Sequence, residues 1–127
     1  MNPADPLSDL YPRTGDEPFT RLVAGFYAQV RGDDLLGPMY PDNDWDGAEH
    51  RLRHFLIQRC GGPDAYARER GHPRLRMRHG PFAIDRPARD RWMQLMTAAL
   101  PDAGFTHDDQ AMLHAFFDQV ATHMMNR

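Results

Sequence analysis

The sequence predicts an all-α fold, on three observations. Four stretches carry apolar residues at helical spacing, glycine or proline closes three of them, and no stretch reads unambiguously as a strand. The 127 residues suffice for one hydrophobic core and are too few for two domains of ordinary size. The expected organisation is therefore a flexible leader over residues 1–15 and a single domain over 16–127. Pro3, Pro6 and Pro12 with acidic neighbours make the leader look loose, and it has neither the basic start nor the apolar run of a secretion signal.

Phe19, Leu22, Val23, Phe26, Tyr27 and Val30 recur at spacings of three and four, which puts them on one stripe of a helix that Gly32 ends. From Asp33 to Asp46, Gly37, Pro38, Pro41 and several Asp and Asn residues suit turns and one helical turn. Ala48, Leu52, Phe55 and Leu56 form the second stripe, stopped by Gly61-Gly62-Pro63. The polar stretch from Pro63 to His72 reads as a loop or weak helix with Tyr66 its one large aromatic. Trp92, Leu95, Met96 and Ala99 make the third stripe, closed by Pro101, and Met112, Leu113, Phe116, Phe117 and Val120 the fourth. Between them, Leu75, Met77 and His79 alternate with Arg74, Arg76 and Arg78 as in a half-buried strand, yet Pro73 before them and Gly80-Pro81 after them equally suit a two-turn helix.

Hydrophobic residues at 41% support a packed interior, and a net charge of −3 gives no electrostatic footprint for nucleic acid. Cys60 is the only cysteine, so no intramolecular disulfide forms and a cytoplasmic location fits. No segment approaches the roughly 20 apolar residues of a membrane helix.

Among seven histidines, His50 and His54 stand four apart on a helix, the spacing two zinc ligands use, but no motif supplies a third ligand and they lie off the apolar stripe. They read as solvated, and His72, His107, His114 and His123 show no ligand spacing. His79 closes a basic segment between two prolines; by its own residues it is a surface or capping histidine. The three arginines before it form a solvated face or hold an anionic ligand. Tyr27 and Trp92 sit on apolar stripes as large core side chains whose polar tips need partners.

The run Gly71-His72-Pro73-Arg74-Leu75-Arg76-Met77-Arg78-His79 resembles the proximal segment of group II truncated haemoglobins. The likeness extends in order to Phe26-Tyr27-Ala28-Gln29-Val30, Met39-Tyr40-Pro41, Gly47-Ala48-Glu49, Arg51-Leu52-Arg53, Gly61-Gly62-Pro63 and Arg89-Asp90-Arg91-Trp92, so it covers the chain from about Phe19 onward. It implies a two-over-two helical sandwich around haem b (iron protoporphyrin IX), with His79 as the metal ligand. It implies haem contacts from Arg51, Leu52, Phe55, Tyr66, Leu75, Arg78, Phe82 and Met96, in which Arg51 and Arg78 face the propionates. Tyr27, Tyr40, Ala48, Leu52 and Trp92 would face the bound gas; Ala48 offers no hydrogen bond where larger globins often place a histidine. Arg59-Cys60 stands where the family commonly has aromatics, and the leader lacks its usual double glycine.

The function so implied is reversible binding of dioxygen and other diatomic ligands, by a monomer or homodimer served by a reductase of unknown identity. Two other classes stand beside it. One is a haem oxidoreductase that oxidises nitric oxide or reduces peroxide, with Tyr27 and Trp92 stabilising charged oxygen species; the other is a haem-free helical interaction domain, which would be colourless.

Overall fold

The computed structural model describes residues 5–71, 74, 79–80, 82 and 84–127. Among them there are six α-helices, two single-turn 3-10 helices and no strand. The α-helices are α1 (Leu10–Thr14), α2 (Glu17–Val30), α3 (Trp45–Arg59), α4 (Ala65–Arg70), α5 (Arg86–Ala99) and α6 (His107–Met124). No helix among the described residues is long and apolar enough to cross a membrane.

Local chemistry sets the boundaries. Pro18 stands in the first turn of α2, and Glu17 pairs with Arg21 one turn on at 2.8 Å. The Asp85 side chain accepts from the Ala88 N–H to cap α5, and Thr106 caps α6 through the Asp109 N–H. All six residues of the first predicted stripe are buried, and α2 packs against both α3 and α5 while α5 packs against α6. The α2–α3 pair over the α5–α6 pair is the two-over-two sandwich. Gln29 ties its layers, donating from Nε2 to the Leu95 carbonyl at 2.9 Å.

The expectation of a loose leader is corrected from Pro6 onward. Pro6–Asp9 is a 3-10 helix continuing into α1, and Leu7 and Leu10 are buried in the core. Two leucines three apart in a proline-rich stretch are too short a pattern to read as amphipathic, yet the docking is tight. The Tyr11 N–H donates to the Cys60 carbonyl at 2.9 Å, and Arg13 holds the buried Asp109 of α6 through both carboxylate oxygens at 3.1 and 3.3 Å. This docking explains Gly61: its φ is +94°, and a Cβ there would lie 1.8 Å from the Ser8 carbonyl oxygen, so no side chain fits. It also accounts for Arg59-Cys60. Cys60 is fully buried, its thiol pushed up to about 12 by that burial, while Arg59 pairs with Asp5 at 3.2 Å and lies over the Phe116 ring at 5.3 Å.

The stretch read as a loop or weak helix contains α4, ended by Gly71 at φ +76°. The Gln58 side chain accepts from the Ala67 N–H at 2.8 Å and fixes α4 against α3. The choice between strand and helix over residues 73–79 falls largely outside the described residues.

Candidate functional site

Leu52, Phe55, Trp92 and Phe116 on the stripes are only partly buried, whereas Leu56, Met96 and Phe117 beside them are buried. A cavity of about 510 Å³ explains them. Ala48, Arg51, Leu52 and Phe55 project into it from α3 at spacings of three and four, so one face of that helix forms a wall rather than core. Tyr27 enters from α2, Tyr66 from α4, Trp92 from α5 and Phe117 from α6, while His79 and Phe82 come from the segment between α4 and α5.

His79 is the only histidine lining the cavity among the described residues. Its backbone is held by a residue near the C-terminus. Asn126 Nδ2 donates to the carbonyls of His79 at 3.3 Å and Phe82 at 2.9 Å, its Oδ1 accepts from the Ile84 N–H at 2.9 Å, and its own N–H donates to the Ile84 carbonyl at 2.9 Å. Four bonds from one residue thus fix the turn that presents the imidazole.

Tyr27 is 4% exposed, and burial first, then Tyr40, raises its pKa far above the ordinary tyrosine value, so it stays a neutral donor. Tyr27 and Tyr40 interact through their hydroxyls, and burial, the largest cause for each, raises the pKa of both, so both phenols keep their protons. Their rings meet edge to face at 5.5 Å. Trp92 is wedged between Phe26 and Phe117, with ring centroids at 5.7 and 5.8 Å. At the rim, Arg51 pairs with Asp44 at 2.8 Å and keeps 36% of its side chain exposed.

The cavity thus gathers Tyr27, Tyr40, Ala48, Arg51, Leu52, Phe55, Tyr66, His79, Phe82 and Trp92 as expected from the sequence. Leu75 and Arg78 lie outside the described residues. Met96 does not line the cavity: it is fully buried in the core, on the side of α5 that packs into the sandwich. Sequence reading missed Arg70, a second cation at the lining, and Arg89, which joins α5 to α6 by pairing with Asp118. It also missed Asn126. A lone asparagine and arginines in polar segments carry no periodic signal; only the tertiary fold gives them their place.

A largely apolar space that has, among the described residues, one imidazole, the hydroxyls of Tyr27, Tyr40 and Tyr66, the Trp92 indole and arginines at its lining fits the chemistry of haem. If haem occupies this space, His79 would hold its iron, the apolar side chains would contact its ring and the arginines would meet its carboxylates.

A model of the bacterial-like globin family matches residues 9–126. A group 2 truncated haemoglobin of Bacillus subtilis is 35% identical over 117 residues, which span 92% of this chain and 88% of the relative. The crystal structure of a haemoglobin from the thermophilic phototrophic bacterium Chloroflexus aurantiacus superposes with a TM-score of 0.88 at 40% identity, covering 93% of this chain and 98% of that one. A truncated oxygen-avid haemoglobin from Bacillus subtilis superposes with a TM-score of 0.85 at 34% identity, over 91% and 98% of the two chains. With the fold, the cavity and near-complete coverage in agreement, the chain belongs to the bacterial-like globins, among the group 2 truncated haemoglobins.

Proposed function

We propose that this globin holds haem b in the cavity with His79 as the protein ligand to iron, and that it reversibly binds dioxygen and other diatomic gases. The observation that carries the reading is the one cavity-lining histidine among the described residues, in the same space as the hydroxyls of Tyr27 and Tyr40 and the indole of Trp92. When bound, haem supplies the iron at which such gases coordinate and the charge transfer that leaves dioxygen partly negative. The chain supplies the rest: His79 as a neutral nitrogen donor, Trp92 and Tyr40 as donors toward the ligand, and Leu52, Phe55 and Phe117 to exclude water. Arg51, with Arg70 and Arg78, provides cations for the propionates. Non-covalent haem b fits better than a covalently attached haem, because attachment needs a pair of cysteines and the one present, Cys60, is buried outside the cavity. One buried thiol suits a reducing, cytoplasmic location, and returning oxidised iron to the ferrous state requires a reductase partner. Likeness to the oxygen-avid haemoglobin supports dioxygen as the ligand.

Visible spectra of the purified protein test this reading. A Soret band, with distinct ferrous, oxygenated and carbonylated forms that interconvert reversibly, is the expected result; a colourless protein that takes up no haem on reconstitution overturns it.

The Asn126 clamp gives a prediction outside the haem contacts themselves. Asn126→Ala removes three side-chain bonds to the turn bearing His79, each worth about 0.5–1.5 kcal/mol. Because part of that turn is open to water, we expect haem release accelerated by about ten-fold, with the ferrous spectrum unchanged in shape. Transfer of haem to an excess of acceptor globin measures it, and an unchanged transfer rate refutes the clamp.

A further inference from the structure

Beside the face of α3 that lines the cavity, the same helix carries a second constellation. His50 and His54, four apart, project together, with ring centroids 4.1 Å apart and 35° between planes. Sequence reading left this pair without a third ligand. The structure brings one from α4: Glu69 Oε2 lies 2.9 Å from His50 Nε2, and the three potential donor atoms of His50, His54 and Glu69 all fall within 4.8 Å of one another. None of the three lines the haem cavity.

We propose that His50, His54 and Glu69 form a second, solvent-facing site for a late first-row divalent cation, zinc above all. Two imidazole nitrogens and one carboxylate oxygen are the ligands such ions prefer, whereas magnesium and calcium prefer oxygen alone. A tetrahedral zinc holds its ligand atoms about 3.4 Å apart. Half-exposed side chains close the gap from 4.8 Å by small rotations, and water takes the fourth position. The anchors of the site are firm: the two histidines are one helical turn apart, and the Gln58 bond to the Ala67 N–H holds α4 beside them. Arg68, a cation on α4, is already paired with Asp64 at 3.0 Å. The motif His50-Arg51-Leu52-Arg53-His54 lacks the glutamate that hydrolytic zinc helices carry after the first histidine, so the site binds metal without implying hydrolysis. A bound cation would tie α3 to α4, the helix that leads toward His79.

Zinc titrated calorimetrically into the tag-free, haem-loaded protein in a non-chelating buffer tests the site. The expected result is one zinc per chain with the Soret band unmoved, and loss of one ligand in His54→Gln or Glu69→Gln weakens binding about ten-fold or more. His123→Gln, which removes an exposed histidine on α6, leaves binding unchanged. Affinity equal to wild type in both His54→Gln and Glu69→Gln overturns the proposal, as does the absence of stoichiometric binding or a Soret shift that places zinc in the haem cavity. Because zinc affinity is read separately from haem spectra, failure here leaves the haem reading standing.

Discussion

His79→Ala is expected to remove the iron's protein ligand. The cavity offers no second imidazole among the described residues to replace it; the Asp44 carboxylate at its lining is held by Arg51, and the thioethers of Met39 and Met124 and the phenols of Tyr27, Tyr40 and Tyr66 are weaker ligands for ferrous iron. The Tyr27 phenol in particular is held neutral by its burial. The variant should lose most of its haem during purification, and any that remains should lack the ferrous and carbonyl spectra of the wild type. Because His79 is half-buried and its backbone, not its ring, is what Asn126 grips, the helical fold survives the change. Added imidazole should therefore enter the vacated space and restore a nitrogen-ligated spectrum. Wild-type ferrous and carbonyl spectra in the variant, without imidazole, would exclude His79 as the ligand.

That assignment was legible in the sequence only through a motif. Composition and spacing left His79 as one histidine among seven, and the alternation of arginines before it equally fitted a strand. Periodicity served better where burial is one-sided over several turns: the stripe from Phe19 to Val30 is buried at every position. It served less well on α3, whose stripe residues Ala48, Leu52, Phe55 and Leu56 all line the cavity, because an apolar pattern does not distinguish packing on protein from the wall of a cavity. For Met96 the stripe served well: it is buried in the core as the spacing predicts and does not line the cavity, where the resemblance implied a haem contact. What stayed hidden was tertiary. Leu7 and Leu10 pack because Gly61 lets their segment approach, and Glu69 meets His50 across 19 residues because Gln58 docks α4.

Trp92→Phe is expected to raise the oxygen dissociation rate by about ten-fold or more, since a hydrogen bond to a charged acceptor contributes about 1.5–3 kcal/mol and about 1.4 kcal/mol is a factor of ten. The argument rests on what the substitution keeps. A phenyl ring keeps an aromatic side chain between Phe26 and Phe117 at this cavity-lining position while deleting the indole N–H. Dioxygen as a ligand is partly negative and accepts that bond, whereas carbon monoxide is nearly apolar; carbon monoxide release should therefore change far less. Tyr27→Phe should have the smaller effect. Tyr40 lines the same cavity and burial keeps its phenol protonated, so it remains as a second donor when Tyr27 is removed. The double variant Trp92→Phe, Tyr27→Phe separates a shared donor role from mere core filling: donors acting on one ligand give an oxygen-specific acceleration beyond that of Trp92→Phe alone. Side chains that only fill space give wild-type oxygen rates and a lowered denaturation midpoint instead. Stopped-flow oxygen and carbon monoxide dissociation on the three variants, with denaturant unfolding in parallel, decides the matter, and oxygen rates equal to wild type in all three would rule out ligand stabilisation by this pair.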